Sequence, residues 1–325
     1  MEKKLSFYAN LFIFIVLVAG IILLNVQCHR LNDLNINVYT SSQDGDRLTQ
    51  KSNIRFTSEK ESSIPEIKVD ENVHFQQING FGATFNEAGM ICLNAISLEA
   101  KHSVLKMLFD TESGAGYTVM KSPIGACDFA SAGPWYTYND IPGDTAMEHF
   151  TIERDLTPNG LITFIKEASK FGEFEIESPM DFAPDWMYYG IKSGKKHIKP
   201  EYYKALAKYY IKYLKAYADN GVTINYLNLF NEADNSWYSN VTYKVIGELI
   251  KNYVVPQLQS DGLSVKIQLG ETANRPEALA KFPDVLSDPE IRKQINSFTV
   301  HGYDWNQFSA LTELHNRYPD IPIWQ

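Results

Sequence analysis

From residue 78 to residue 325 the sequence alternates short apolar runs with stretches of helical periodicity, and nothing else in it restricts the fold as strongly. Strand-like runs fall at 78–85, 117–122, 174–178, 226–230, 265–269, 297–301 and 321–324. Helical patterns fill the gaps at 99–109, from 157 onward, and at 200–217, 241–255, 276–286 and 307–317. Ser97 is placed as an N-cap, with Leu98, Val104, Leu105 and Leu108 following on one face. Thr157-Pro158 pairs a cap with a first-turn proline ahead of Leu161, Ile162, Phe164, Ile165 and Ala168. Pro256 is expected to stop the helix at 241–255. The many tyrosines of 200–217 read as the apolar stripe of a helix packed on a sheet, in preference to a sugar-stacking set. Strands joined by helices form a parallel sheet, because parallel neighbours need a long crossover. The expected class is therefore α/β, a (β/α)8 TIM barrel. A closed barrel needs eight strands, and about seven are counted, so the barrel is expected to be incomplete over these residues.

The remaining sequence reads as two leading segments. Lys3 and Lys4 precede an unbroken apolar run at 11–24, which is a charged n-region followed by an apolar region of secretory length. Cys28 follows in a setting like a bacterial lipoprotein signal. Residues 1–28 are thus read as a signal peptide, a lipoprotein signal or a membrane anchor, with attachment through residues 11–28 and lipidation at Cys28. The protein is expected to be exported, to the cell surface, the periplasm or the outside. Residues 29–77 are polar and read as a tether with one or two short strands at 35–40. Residues 78–325 form the barrel segment. The net charge of −9 argues against a nucleic-acid partner, which calls for a basic face. Three cysteines are too few for a disulfide scaffold, and Cys92 and Cys127 read as two buried thiols more readily than as a pair. No CxxC or HExxH spacing is present, so no metal and no organic cofactor is implied.

In barrels of this kind the active site gathers at the C-terminal ends of the strands. There the sequence places Asn86 and Glu87, residues 121–128, 178–186, Asn231 and Glu232, Glu271, and His301 to Tyr303. Converging carboxylates with aromatic platforms are what glycoside hydrolysis needs: one carboxylic acid protonates the leaving oxygen, and a second attacks or stabilises the oxocarbenium ion. Glu232, delivered with Asn231 by the apolar run 226–230, is the acid/base candidate. Glu271 reads as structural. Trp135, Tyr136 and Tyr138 either line the mouth or pack their loop.

Phe81-Gly82-Ala83-Thr84-Phe85-Asn86-Glu87-Ala88 resembles the first-strand motif of glycoside hydrolase family thirty, the glucosylceramidase family. Ser122-Pro123-Ile124-Gly125-Ala126-Cys127-Asp128-Phe129, Ser178-Pro179 with Trp186, Asn231-Glu232 and Val300-His301-Gly302-Tyr303 continue the resemblance in order to the last residue. The resemblance implies a barrel with an associated β-sandwich, to which the short strands at 35–40 would belong. It implies a retaining β-glycosidase acting on a β-glucoside or related β-glycan, with a carbohydrate or glycolipid as substrate. Glu232 would be the acid/base, and the nucleophile a Glu expected about two residues past Gln325. Glu87 and Asp128 would accept sugar hydroxyls, unless they cap or ion-pair. Trp186 would floor the sugar subsite, unless it is core. Asn231, His301 and Tyr303 complete the expected site, with His301 orienting a carboxylate. Four departures are visible: Ala233 replaces a proline, Met180 a tryptophan, Gly302 a tryptophan, and Lys121 an arginine. Lysine keeps the charge and loses the bidentate fork. The second expectation is a catalytically inactive remnant with at most weak carbohydrate binding, and a barrel left with open edge strands is expected to fold poorly.

Overall fold

A computed structural model describes residues 35–55, 65, 67–131, 135–189, 197–233 and 240–325. The charged and apolar N-terminal run and Cys28 lie outside the described residues. No helix among the described residues is long and apolar enough to cross a membrane. The chain divides into two compact units, residues 1–76 and 77–325. In the first, β1 (Asn35–Ile36) pairs antiparallel with β4 (Ile54–Arg55), and β2 (Tyr39–Thr40) with β3 (Thr49–Gln50).

The second unit is a curled parallel sheet in sequential order: β5 (Val119–Lys121), β6 (Glu175–Ser178), β7 (Tyr226–Asn228), β8 (Lys266–Thr272), β9 (Ile295–Val300) and β10 (Ile323–Trp324). Every neighbouring pair is parallel. It forms an incomplete (β/α)8 barrel. The run at 78–85, expected as a strand, is not one: only Thr84 bridges Lys121. The segment still reaches the sheet, since Phe85 N–H donates to the Lys121 carbonyl at 2.8 Å and Lys121 N–H to Ala83 at 3.0 Å. The reason lies at Gly82, where a Cβ would stand 1.5 Å from the Val119 carbonyl oxygen. The Gly82 backbone lies against the Val119 carbonyl, an approach only glycine allows, and this close contact stands in place of a regular ladder.

Helices cover the outside of the sheet. Ser97 Oγ caps α2 (Leu98–Phe109) by accepting from Ala100 N–H, as its position in the sequence predicts. The predicted stop at Pro256 does not occur. Helix α5 (Tyr243–Leu249) passes through a π turn at Ile250–Val254 into α6 (Val255–Ser260), which contains Pro256 in its first turn. The wider turn relieves the proline of an i−4 amide bond and of the clash with that carbonyl. Cys92 and Cys127 are both free thiols, but only Cys127 is buried, so Cys92 departs from the expected pair of core thiols.

The tyrosines of α4 (Tyr203–Asp219) pack inward as predicted, and their hydroxyls do more than fill space. Tyr213 Oη shares a hydrogen bond with Ser178 Oγ at 2.8 Å. Tyr217 Oη donates to Asp155 at 2.7 Å, where Tyr136 and Tyr138 also converge. Burial pushes Asp155 up to about 6, against the three phenols that hold it. Replacing Tyr213 by Phe leaves Ser178 Oγ buried without this partner, and the expected loss is about 1–2 kcal/mol in a urea unfolding curve.

Candidate active site

The ends of β5, β6, β7 and β9 open into a cavity of about 770 Å³. Its wall carries Lys121, Asp128, Asp181, Asn231, Glu232 and His301, with Phe129, Trp135, Phe182 and Tyr303 as aromatic surface. Trp135 and Phe182 stack at 4.4 Å between ring centroids. Asn231 and Glu232 lie where β7 runs out, and their neighbours fix them. Asn231 N–H donates to Met180, and Glu232 N–H to the Glu271 carbonyl at 2.8 Å. Glu232 adopts φ 45° and Glu271 φ 56°, in the left-handed region. Such a backbone costs a non-glycine residue about 1–2 kcal/mol, and strain of this kind clusters at functional sites.

Four groups form one charged chain. His301 Nδ1 lies 2.7 Å from Glu232 Oε1, and its Nε2 lies 3.1 Å from Glu271 Oε2. Lys121 Nζ pairs with the same Glu271 oxygen and reaches Asn231 Oδ1 at 3.1 Å. Glu271 is 4 % exposed and does not face the cavity. Burial alone would raise its carboxyl, but Lys121 and His301 hold it well below the usual carboxylate range. Beside it, burial and the Glu271 charge drive Glu177 well above its ordinary value. The two carboxyls are thus driven in opposite directions, Glu271 toward the anion and Glu177 toward the proton. Burial would also lower His301, but hydrogen bonds to Glu232 and Glu271 overcome it and push the imidazole up to about 9.

His301 titrates near 6.5 when unfolded and near 9 when folded, so its contribution is full below pH 6.5 and lost as pH rises through 9. Urea midpoints of wild type and His301→Gln should converge between pH 6.5 and 9.5. A constant difference would contradict the pairing.

The structure brings together Asp128, Asn231, Glu232, His301 and Tyr303 on the cavity wall. It does not bring Glu87 or Trp186 there. Glu87 receives Arg154 Nε at 3.0 Å and Nη2 at 2.9 Å, and accepts Ser131 N–H at 3.0 Å. Arg154 lies over the Tyr136 ring at 4.0 Å. Glu87 thus ties the loop that carries Tyr136. Trp186 lines an adjoining cavity of about 350 Å³ and donates its indole N–H to the Asn139 carbonyl. Gly302 explains one departure: a Cβ there would stand 2.9 Å from Arg275 Nη2. Arg275 occupies that space, pairing with Asp304 and Gln325. Sequence reasoning missed Glu177 and the role of Arg154, and it reached Asp181 only as part of the stretch 178–186. The period-two alternation of Glu175-Ile176-Glu177 was the available signal for Glu177, since it puts both glutamates on one face.

Among the described residues, one group could meet a cation: Cys127, Asp128 and Asp181, with ligand atoms within 4.8 Å of one another. Burial pushes the Cys127 thiol up to about 12, so it keeps its proton at neutral pH. Metal binding needs the thiolate, so the donor set favours hydrogen bonding.

The model of the Glycosyl hydrolase family 30 TIM-barrel domain matches residues 78–325. The chain is similar to putative glucosylceramidase 3 of Caenorhabditis elegans, 29 % identical over 82 % of this chain and 53 % of that protein. It is similar to an endo-1,6-beta-D-glucanase of Trichoderma harzianum, 29 % identical over 75 % of this chain and 52 % of that protein. Among solved structures, SrfJ from Salmonella typhimurium superposes with a TM-score of 0.78 at 22 % identity, covering 89 % of this chain and 65 % of that one. At that identity the likeness speaks for the fold. The chain spans about half the length of these curated relatives.

Proposed function

The chain belongs to glycosyl hydrolase family 30, and from that premise we propose that it forms the barrel of a retaining β-glycosidase resembling glucosylceramidase, with Glu232 as acid/base. The observation that carries this reading is the Glu232–His301 contact at 2.7 Å on the wall of an aromatic-sided cavity. An acid/base must give up a proton and regain it within one cycle. His301 is anchored through Nε2 to an anionic Glu271, which leaves Nδ1 to share one proton with Glu232. Asn231, held by Lys121, is placed to orient a sugar hydroxyl, and Asp128 to accept one. The family resemblance gives the covalent step to a second Glu; Glu271, buried and held by Lys121 and His301, does not face the cavity. Retention requires the two reacting carboxyls about 5–5.5 Å apart. The substrate class is a β-glucoside or related β-glycan.

Proton NMR of the whole protein acting on glucosylceramide, β-1,6-glucan and xylan tests the reading. A β-anomer as first product is expected from one of them; an α-anomer first would sink retention, and release from none would sink the activity. Export with lipid attachment at Cys28 is part of the same proposal, supported by Lys3, Lys4 and the apolar run 11–24. A fatty-acid analogue should label the wild type and fail to label Cys28→Ser.

A further inference from the structure

One end of the cavity holds a largely buried carboxyl that opens to the cavity and meets no protein partner among the described residues. Asp181 is 8 % exposed and lines the cavity. Among the described residues, no hydrogen bond or ion pair reaches its carboxyl. Met180 before it is fully buried, so the backbone turns one side chain into the core and the next two, Asp181 and Phe182, toward the cavity. Buried polar groups in native proteins almost always have a partner, so one that faces a cavity is completed by what enters it. The Asp181 and Asp128 oxygens lie no more than 4.8 Å apart. Two hydrogen bonds of about 2.7 Å meeting at one hydroxyl oxygen span about 4.4 Å.

We propose that Asp181 is a specificity-determining residue that, with Asp128, clasps a single sugar hydroxyl bridging their two carboxyl groups. The proposal rests on the β-glycosidase reading and deepens it by naming what selects the glycone. A hydroxyl donates one hydrogen bond and accepts others. The site therefore needs one carboxyl with its proton and one without. Burial pushes Asp181 up to about 7 against the pull of Lys121, and the Asp128 charge adds to the rise. Asp181 then supplies the O–H near neutral pH, and the Asp128 carboxylate accepts from the sugar. The glycone is thus a neutral pyranose with a free hydroxyl at that position. An ammonium group can only donate and would leave the Asp181 proton unused. The Cys127 thiol, which keeps its own proton, adds a weak donor at the same place.

The test is calorimetry on the whole protein carrying Glu232→Gln to stop turnover. Methyl β-glycosides of glucose, galactose, xylose and fucose are titrated first, then the monodeoxy series of the tightest binder. One deoxy position is expected to weaken binding at least tenfold. Adding Asp181→Ala should weaken the parent sugar by a similar factor and erase the penalty at that position alone. Asp181→Asn, which can donate and accept, should recover part of the loss. A thermal melt provides the control: an unsatisfied buried carboxyl kept for a ligand destabilises the empty protein, so both variants should melt no lower than their parent. Binding of no glycoside overturns the glycosidase reading and this proposal together. Binding with no deoxy position coupled to Asp181, or tighter binding of a 2-amino sugar that depends on Asp181, overturns this proposal alone. A lowered melting temperature in both variants assigns Asp181 to the scaffold instead.

Discussion

Replacing Glu232 by Gln in the whole protein should lower turnover of β-glycosides with unactivated leaving groups by about 10²–10⁴-fold, and that of aryl glycosides with acidic leaving groups far less. A sugar alkoxide leaves only if protonated as the bond breaks, whereas a nitrophenolate leaves unaided. Gln keeps the size of the side chain and its reach to His301 Nδ1, at the 2.7 Å position, so the cavity wall is preserved. The signature is therefore a split between leaving groups, not a uniform loss. Stopped assays on both substrate types at matched protein concentration read it directly. An unchanged rate on the poor leaving group would remove Glu232 from the acid/base role.

Lys121→Met should destabilise the fold by about 3–5 kcal/mol, the cost of leaving a buried charge uncompensated. The Lys121 ammonium is the cation that Glu271 meets directly, and Glu177 lies in the same buried cluster. The Glu271 carboxylate foremost holds the lysine well above its ordinary value although burial opposes it. Without the lysine, Glu271 keeps His301 as its cationic partner and takes up a proton at the expense of folding. Glu271→Gln on top of Lys121→Met should restore much of the loss, because it removes the orphaned charge; the cycle measures the coupling between the two. Guanidinium unfolding at pH 7 is the measurement. A cost under about 1 kcal/mol would mean that the pair is screened as a surface pair is. Lys121→Arg should cost less than Met, since it retains the charge at a position suited to one donor.

Much of the frame was legible in the sequence. The spacing of apolar runs marked the six strands of the sheet and most of the helices between them. Local chemistry fixed these elements: Ser97 capped its helix, and the tyrosine stripe of α4 turned inward. Where local rules failed, a tertiary contact had taken over. Gly82 was pressed onto the Val119 carbonyl and lost its strand, and Pro256 was carried through by a π turn. The family motif carried Asn231, Glu232, Asp128, His301 and Tyr303 to one cavity.

Strand and helix periodicities and caps act within a few residues, so they were enough to lay out a parallel α/β barrel with Asn231-Glu232 at the end of one strand. The partners were set by long-range packing: Glu87 went to Arg154, Trp186 to a neighbouring cavity, His301 to two glutamates at once, and Asp181 to no partner among the described residues. Those outcomes depend on which side chains meet after segments 30 to 150 residues apart close around the barrel mouth. The charge that a buried carboxyl carries is then set by its neighbours in space, and no local pattern encodes it.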